Sequence, residues 1–321
     1  MASRRTKGLL GAGCAASALS LIAAPVWLTT QPVLARPAAG PPMYPSQLEA
    51  EVRELSRAPR GHDDAARLDE VSAHLAGVFA SAGADVSTQE FTPAHAPAPV
   101  RNVIARVGPA SEERVVVGAR YDAAPGELDA NGATGVAALV ALAGSLGTAR
   151  LGVGVELVAF ALGAPPYLGT VDMGSAHHAR AVRARRGRVR AMLAIEGLGA
   201  LSRADGSTRL PRPLGLLYPT RAEFVAVVGR YTDWRLVRAV KRAMAGATDL
   251  PVRSISGTRR LARVDAGDQQ SYWAAGFPAV MITDTSHMGW RARPADADAV
   301  DYRAAAKATS ALSAAIVELA R

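Results

Sequence analysis

Six histidines and one cysteine are the residues best suited to bind a transition metal or to serve as a base. They are His62, His74, His95, His177, His178, His287 and Cys14. Cys14 alone excludes an internal disulfide and any cysteine-based metal cluster. His177 and His178 are neighbours on an expected helix, so their side chains point about 100° apart and cannot converge on one ion. They are expected as surface residues of that helix. Thr134 and Ser175 are the hydroxyls to test as nucleophiles. Thr134 has no histidine near it in sequence, Ser175-Ala-His177-His178 is not a triad spacing, and no Gly-x-Ser-x-Gly elbow occurs. Both hydroxyls lie near expected helix starts, where capping explains them.

The remaining chemistry is cationic. The chain has 37 Lys+Arg against 28 Asp+Glu, a net charge of +9, and only three of the basic residues are lysines (Lys7, Lys241, Lys307). Guanidinium stays protonated in proteins, so it pairs with carboxylates and neither ligates metals nor shuttles protons. Nucleic acid is not expected as a partner: the arginines are scattered, and aromatics at 5% are too few for base stacking. The densest run, Arg180–Arg190, follows a helical stretch and suits a solvated helix end.

The elements that must position these residues alternate in type. Apolar positions at helical spacing predict helices over Leu48–Leu55 and Ala65–Gly83, the latter through Leu68, Val71, Leu75, Val78 and Phe79. Strands are expected at Val86–Phe91, Asn102–Val107, Arg114–Ala119, Val153–Leu162 and Pro278–Thr285, with a further short apolar run at Ala191–Leu198. Helices are expected at Gly135–Leu146, Asp172–Arg186, Ala222–Gly246 and Asp301–Leu319. Pro93–Pro99, Arg203–Pro219 and Thr248–Asp268 read as loops. This alternation argues for an α/β sandwich around a mostly parallel sheet, with no internal repeat and no second domain boundary. In such a domain the site is built by loops at the carboxyl ends of the strands.

Residues 1–35 stand apart. Arg4, Arg5 and Lys7 precede a mostly apolar stretch from Gly8 to Leu28, and Val33-Leu34-Ala35 offers a signal-peptidase site. Gly8–Leu28 is also long enough to span a bilayer, so an uncleaved signal anchor is the alternative. The expected organisation is a signal peptide or anchor over 1–35, a Pro/Ala/Gly-rich linker over 36–47, and one domain over 48–321. The protein is expected outside the cytoplasm, in the bacterial envelope or secreted. Membrane contact is expected only through residues 8–28, and only if they are retained.

The ordered motifs of that domain resemble one family. Val115-Val-Val-Gly-Ala-Arg-Tyr-Asp122 and Asn131-Gly-Ala-Thr-Gly135 stand where its first two metal motifs stand. Pro165-Pro-Tyr, Ile195-Glu-Gly-Leu-Gly199, Gly267-Asp-Gln-Gln-Ser-Tyr-Trp273 and Gly276-Phe-Pro-Ala-Val-Met-Ile-Thr-Asp-Thr285 follow in order. Together they resemble the dizinc aminopeptidases, peptidase family twenty-eight, of aminopeptidase Y-like type. The resemblance implies a three-layer α/β/α sandwich of zinc-exopeptidase type, with a central mixed, mostly parallel sheet. It also implies two zinc ions bridged by a carboxylate, with a Glu as general base on the bridging water.

Position by position, the implied ligand set is largely missing. The first ligand His is matched by Arg120, while Asp122, which orients that His in the family, is kept. The bridging Asp is matched by Asn131, with Asp129 two residues earlier. The Glu pair that supplies base and ligand is matched by Gly163 and Ala164. Glu196 keeps the next carboxylate. Asp268 is kept beside Gln269, which replaces a His, and the last ligand His falls at Arg291 or Ala292. His287 lies nearby without aligning. Tyr272 and Trp273 are expected as core aromatics under the site. The resemblance, corrected for these replacements, implies no zinc and no catalytic residue. It implies a catalytically inactive pseudo-peptidase with a binding role, for a peptide or a carboxylate-bearing ligand. The alternative is an active aminopeptidase-type hydrolase with a rebuilt or single-metal site; an anchoring protein of the envelope is a third reading. A chemical expectation accompanies the first: Arg120 and Arg291 pair with Glu196, Asp122 and Asp268 in place of the metals.

Overall fold

Continuous Val/Ile/Ala runs become the buried strands they suggest, because strands covered on both faces need apolar residues on both faces. The computed structural model describes residues 23–38, 40–94, 98–212, 214–258, 264 and 267–321. The signal-like residues 1–22, with Cys14, and His95 lie outside these. Eight strands form one sheet: β1 (Asp85–Phe91), β2 (Val100–Val107), β3 (Glu113–Arg120), β4 (Gly154–Phe160), β5 (Arg188–Ile195), β6 (Val225–Arg230), β7 (Val252–Gly257) and β8 (Ala279–Thr283). Their order is β1-β2-β4-β3-β5-β8-β6-β7. The centre, β4-β3-β5-β8, is parallel throughout. Strands β2 and β6 join it antiparallel, and β7 pairs parallel with β6.

The helices flank the sheet. On one face lie α1 (Pro45–Leu55), α2 (Ala65–Ser81), α3 (Ala130–Leu146), α5 (Trp234–Gly246) and α7 (Tyr302–Ala320). They share a core with inward residues such as Val103, Val117, Leu157, Leu193 and Ile282. On the other face α4 (Gly174–Ala184) and α6 (Gln269–Ala274) cover the alternate strand residues, including Ile104, Val116, Val158 and Met192. A third cluster closes the β6–β8 end around Phe224, Met281 and Trp290. This is the expected three-layer sandwich.

Three expectations need correction. The helical pattern over Ala222–Gly246 divides into β6 and α5, because Val225-Ala-Val-Val-Gly is a short apolar strand set directly before an amphipathic helix. The expected loop over Thr248–Asp268 contains β7, which pairs along the length of β6. His178 is not a surface residue, and His177 is half-buried. His178 is buried and its Nδ1 lies 2.6 Å from the Tyr272 hydroxyl, while the His177 ring stacks on Phe91 at 4.0 Å. Burial pushes the His178 pKa down to about 4, so the ring is neutral and shares a hydrogen bond with the Tyr272 hydroxyl.

Candidate functional site

Strands β3, β4, β5 and β8 end side by side, and the residue or loop after each contributes to one buried polar cluster. Arg120 is the last residue of β3. Gly163 and Ala164 lie in the turn after β4, Glu196 directly follows β5, and Asp284 directly follows β8. The amino end of α3 completes the cluster, with Asp129 as its N-cap and Asn131 in its first turn. Helix and strands can meet this closely because residue 135 is glycine: a Cβ there would sit 2.9 Å from the Ile195 carbonyl oxygen and 3.1 Å from Ala119 Cβ.

Arg120 occupies the middle of the cluster. Its Nη2 donates to Asp129 Oδ2 at 2.6 Å, its Nη1 donates to the Asp122 carbonyl oxygen at 2.6 Å, and its Nε stands 3.8 Å from Glu196 Oε2. The side chains of Arg120 and Asp129 are 6% and 0% exposed, so solvent does little to screen the pair. Burial opposes the charge of Arg120, but Asp129, Glu196 and Asp122 outweigh it and raise its pKa. Burial also pushes Asp129 up, and Arg120, Arg293 and Arg60 outweigh that and hold its carboxyl well below the usual range. Asp129 adopts a left-handed backbone (φ 42°, ψ 58°), strained for a residue with a side chain. Ion pairs on its carboxylate and the Arg60 bond to its carbonyl hold it there.

The backbone at Gly163, which the sequence resemblance matched to a general base, packs against Arg120. A Cβ on Gly163 would lie 2.5 Å from Arg120 Cβ and 2.9 Å from its Cδ, so no side chain fits at 163. The freed amides of Gly163 and Ala164 donate instead to Asp122 Oδ1 and Oδ2, at 2.8 and 3.0 Å. Burial still raises the Asp122 pKa, against Arg120 and these two amides.

Asn131 is equally committed. Its Nδ2 donates to Asp284 Oδ2 (3.0 Å) and Ser286 Oγ (2.8 Å), and its Oδ1 accepts from the Gly199 amide (3.0 Å). Thr134 is a structural hydroxyl: it donates to the Asn131 carbonyl and accepts from the Leu198 amide. Glu196 Oε1 accepts the Asp268 amide at 3.3 Å, and its Oε2 is 3.6 Å from His287 Nδ1. Neither carboxylate oxygen of buried Asp268 has a hydrogen-bond partner among the described residues, although Ser175 on that side eases its charged form. Burial raises the pKa of Glu196, and burial together with the charge of Glu196 raises that of Asp268. The two carboxyls therefore retain a proton between them near neutral pH. Gln269 turns away, its Nε2 donating to the Val264 carbonyl at 2.6 Å.

Arg291 departs from its expected pairing. It binds no carboxylate of the cluster; its Nη1 donates to the carbonyls of Ala200 (2.9 Å) and Ala222 (2.8 Å) and its guanidinium lies 5.2 Å from the Phe224 ring centroid. Its Nε and Nη2 have no partner among the described residues, and burial lowers its pKa to about 10. Ala292 is exposed and joins nothing. Glu196, Asp122 and Asp129 thus surround Arg120, while Arg291 lies apart.

Besides Asp284, Ser286 and Arg293, Arg60 and His287 enter the site, and neither had been given a part in it. Arg60 is fully buried and donates to the carbonyls of Tyr121 (2.7 Å), Asp129 (2.9 Å) and Leu128, which ties down the loop between β3 and α3. Burial lowers its pKa to about 10, against the pull of Asp129. His287 reaches Glu196 from the loop after β8. Only long-range contacts place either residue, so no local sequence signal marks them.

A zinc pair does not fit these residues. The guanidinium of Arg120 stands among the carboxylates, Asp129 is held by it, Asp122 is held by two amides, and Asn131 is used at both ends. Among the described residues no group of three or more His, Cys, Asp or Glu side chains is arranged to hold a metal ion.

The fold and the position of this cluster define the class. The chain has the architecture of aminopeptidases and glutaminyl cyclases. Over 89% of its length it superposes on all of Fimbriiglobus ruber glutaminyl cyclase, with a TM-score of 0.65 at 22% identity. Over 87% it superposes on 95% of the aminopeptidase from Aneurinibacillus sp. strain AM-1, with a TM-score of 0.65 at 12% identity. No family model matches the sequence. The chain belongs to the family of YfbL, an uncharacterized protein of Escherichia coli (strain K12), to which it is 36% identical over 274 residues, 81% of each chain.

Proposed function

We propose that this is an exported peptidase-fold protein whose hydrolytic site has become a metal-free ion-pair core, and that its role is binding rather than cleavage. The observation that carries this reading is the single guanidinium of Arg120, bonded to Asp129 and facing Glu196, with the backbone of Gly163 closed against it. A water at this place would meet a permanent cation rather than a Lewis acid. The basic and apolar N-terminal sequence supports export. Among the described residues no helix is long and apolar enough to cross a membrane.

The binding role has one candidate anchor. Arg291 keeps Nε and Nη2 without partners among the described residues, buried beside the Phe224 ring, so a carboxylate-bearing ligand such as a peptide terminus would reach them only if the surrounding loops open. Metal analysis of the purified protein, with an aminoacyl-anilide assay in added zinc, tests the whole reading. The expected result is no stoichiometric zinc and no turnover. Stoichiometric zinc with EDTA-sensitive turnover overturns it in favour of a rebuilt-site hydrolase.

A further inference from the structure

The stretch before the domain is built into it. Residues 23–30 are helical, and the helix ends at Gln31, whose backbone is left-handed (φ 44°). A helix end leaves carbonyls without partners and carries partial negative charge. Here the domain supplies the partners. Lys241 of α5 donates from Nζ to the carbonyls of Thr30 (2.6 Å) and Gln31 (2.8 Å), and Ser254 of β7 donates from Oγ to the Thr30 carbonyl (2.5 Å). The Tyr218 hydroxyl lies 3.4 Å from the Thr29 carbonyl, and the Tyr231 hydroxyl lies 3.3 Å from Thr29 Oγ1.

Side-chain packing reinforces these bonds. Trp27 meets Trp234 with ring centroids 5.7 Å apart, and Arg238 stacks on Trp27 while donating to the Pro32 carbonyl at 2.7 Å. Thr29 and Gln31 are as buried as core residues, at 3% and 0% exposure. The chain then emerges, with Leu34 90% exposed, and docks again: the Ala38 amide donates to the Gly246 carbonyl (3.0 Å) and Ser310 Oγ to the Pro41 carbonyl (2.7 Å). Residue 246 must be glycine for this second contact, since a Cβ there would lie 1.9 Å from the Arg36 carbonyl oxygen.

The dependence is mutual. Lys241 is 7% exposed, and its protein acceptors are two carbonyls of this stretch and Ser254 Oγ, 3.3 Å away. A buried ammonium stripped of two of its three acceptors is strongly disfavoured. We infer that residues 26–35 are a retained strap, an internal ligand of the β6–β7–α5 surface, and that the Val33-Leu34-Ala35 sequence is not where the mature chain begins.

The test is the intact mass and N-terminal sequence of the full chain recovered from an exporting host. A product that still contains residues 26–35 is expected; a mature protein beginning at Arg36 overturns the inference. Recovery of the strap in a cytoplasmic product would count against export and still support the strap. Thermal melts provide a second arm. A chain lacking residues 1–24 is expected to melt with the full chain, and one lacking residues 1–35 about 5–10 °C lower. Equal melting of the two shortened chains overturns the inference. If the shorter one does not fold, Trp27→Ala in the full chain is expected to melt about 2–4 °C lower, and an unchanged melt overturns it.

Discussion

Replacing Arg120 by methionine isolates what its charge does. Methionine keeps most of the stem that packs on Gly163 and removes the guanidinium. The loss then falls on two acceptors, Asp129 Oδ2 at 2.6 Å and the Asp122 carbonyl at 2.6 Å, and on the charge of Glu196, whose Oε2 lies 3.8 Å from Nε. All belong to residues 5% exposed or less, so water does not take over the lost interactions without local opening. Breaking a buried ion pair by removing one partner costs about 3–5 kcal/mol, because the other charge stays buried. At about 2–4 °C per kcal/mol, the expected fall in Tm is roughly 6–20 °C at pH 7. Arg120→Lys retains a cation but cannot span Asp129 and the Asp122 carbonyl with one planar fork, so it should fall between parent and Arg120→Met.

The pH dependence separates lost charge from lost packing. In the parent, Arg120 and its neighbours hold the Asp129 pKa below its unfolded value. That contribution is present in full above the unfolded pKa, about pH 4, and disappears as pH falls through the folded one. In Arg120→Met the freed carboxyls are relieved by protonation instead. The gap between parent and variant should therefore be widest near pH 7 and narrow below about pH 4. Melts by calorimetry or circular dichroism across pH 3–8 measure it. A variant within about 2 °C of the parent at pH 7, or a gap that does not change with pH, would refute the claim that this guanidinium neutralises the cluster.

Two further outcomes test the same site. Gly163→Ala places a methyl 2.5 Å from Arg120 Cβ, so it should cost about 1–3 kcal/mol by overpacking, and part of that loss should vanish in an Arg120→Gly background; additive losses in the double-mutant cycle would show the contact to be incidental. Burial raises the pKa of Glu196, to about 7, and that of Asp268 as well, so their stabilising contribution is full below the unfolded values and is lost as pH rises through the folded ones. Glu196→Gln should therefore weaken the fall in Tm between about pH 4.5 and 7; identical pH profiles of parent and variant would count against a raised carboxyl at Glu196.

The parts legible in the sequence are those fixed by local pattern. Val115-Val-Val and Val155-Glu-Leu-Val read as buried strands because both faces of a central parallel strand must be apolar. The order of the motifs sets Arg120, Asn131, Gly163 and Glu196 around one site, at the carboxyl ends of the strands. Local pattern failed where two signals overlapped. Strand β6 contributes only six residues before α5 continues the apolar spacing, so the two merged into one apparent helix. It also failed where a polar residue finds a distant partner. His178 is interior because Tyr272, ninety-four positions away, accepts it as a partner, and Arg60 is interior because three carbonyls across a loop receive its donors. Arg291 was expected beside Glu196, but the loop after β8 carries it to the Ala200 and Ala222 carbonyls instead.

The residues at the site hold one another in place. Restoring an aspartate at Asn131 would set its carboxylate beside that of Asp284, whose Oδ2 now lies 3.0 Å from the Asn131 Nδ2 donor; two buried carboxylates cannot both stay ionised there. Restoring a glutamate at Gly163 needs room that the backbone has given to Arg120. A histidine at 120 would release Asp129 from its nearest cation and from the ion pair that helps hold its left-handed conformation. Each change alone leaves a buried charge or a collision, and the benefit of a metal appears only when several ligands return together. A guanidinium neutralises nearby carboxylates with no ion to recruit. Glu196 and Asp268 are tolerated because burial and their mutual charge raise both pKa values, so protonation relieves part of their repulsion, with Arg120 alongside.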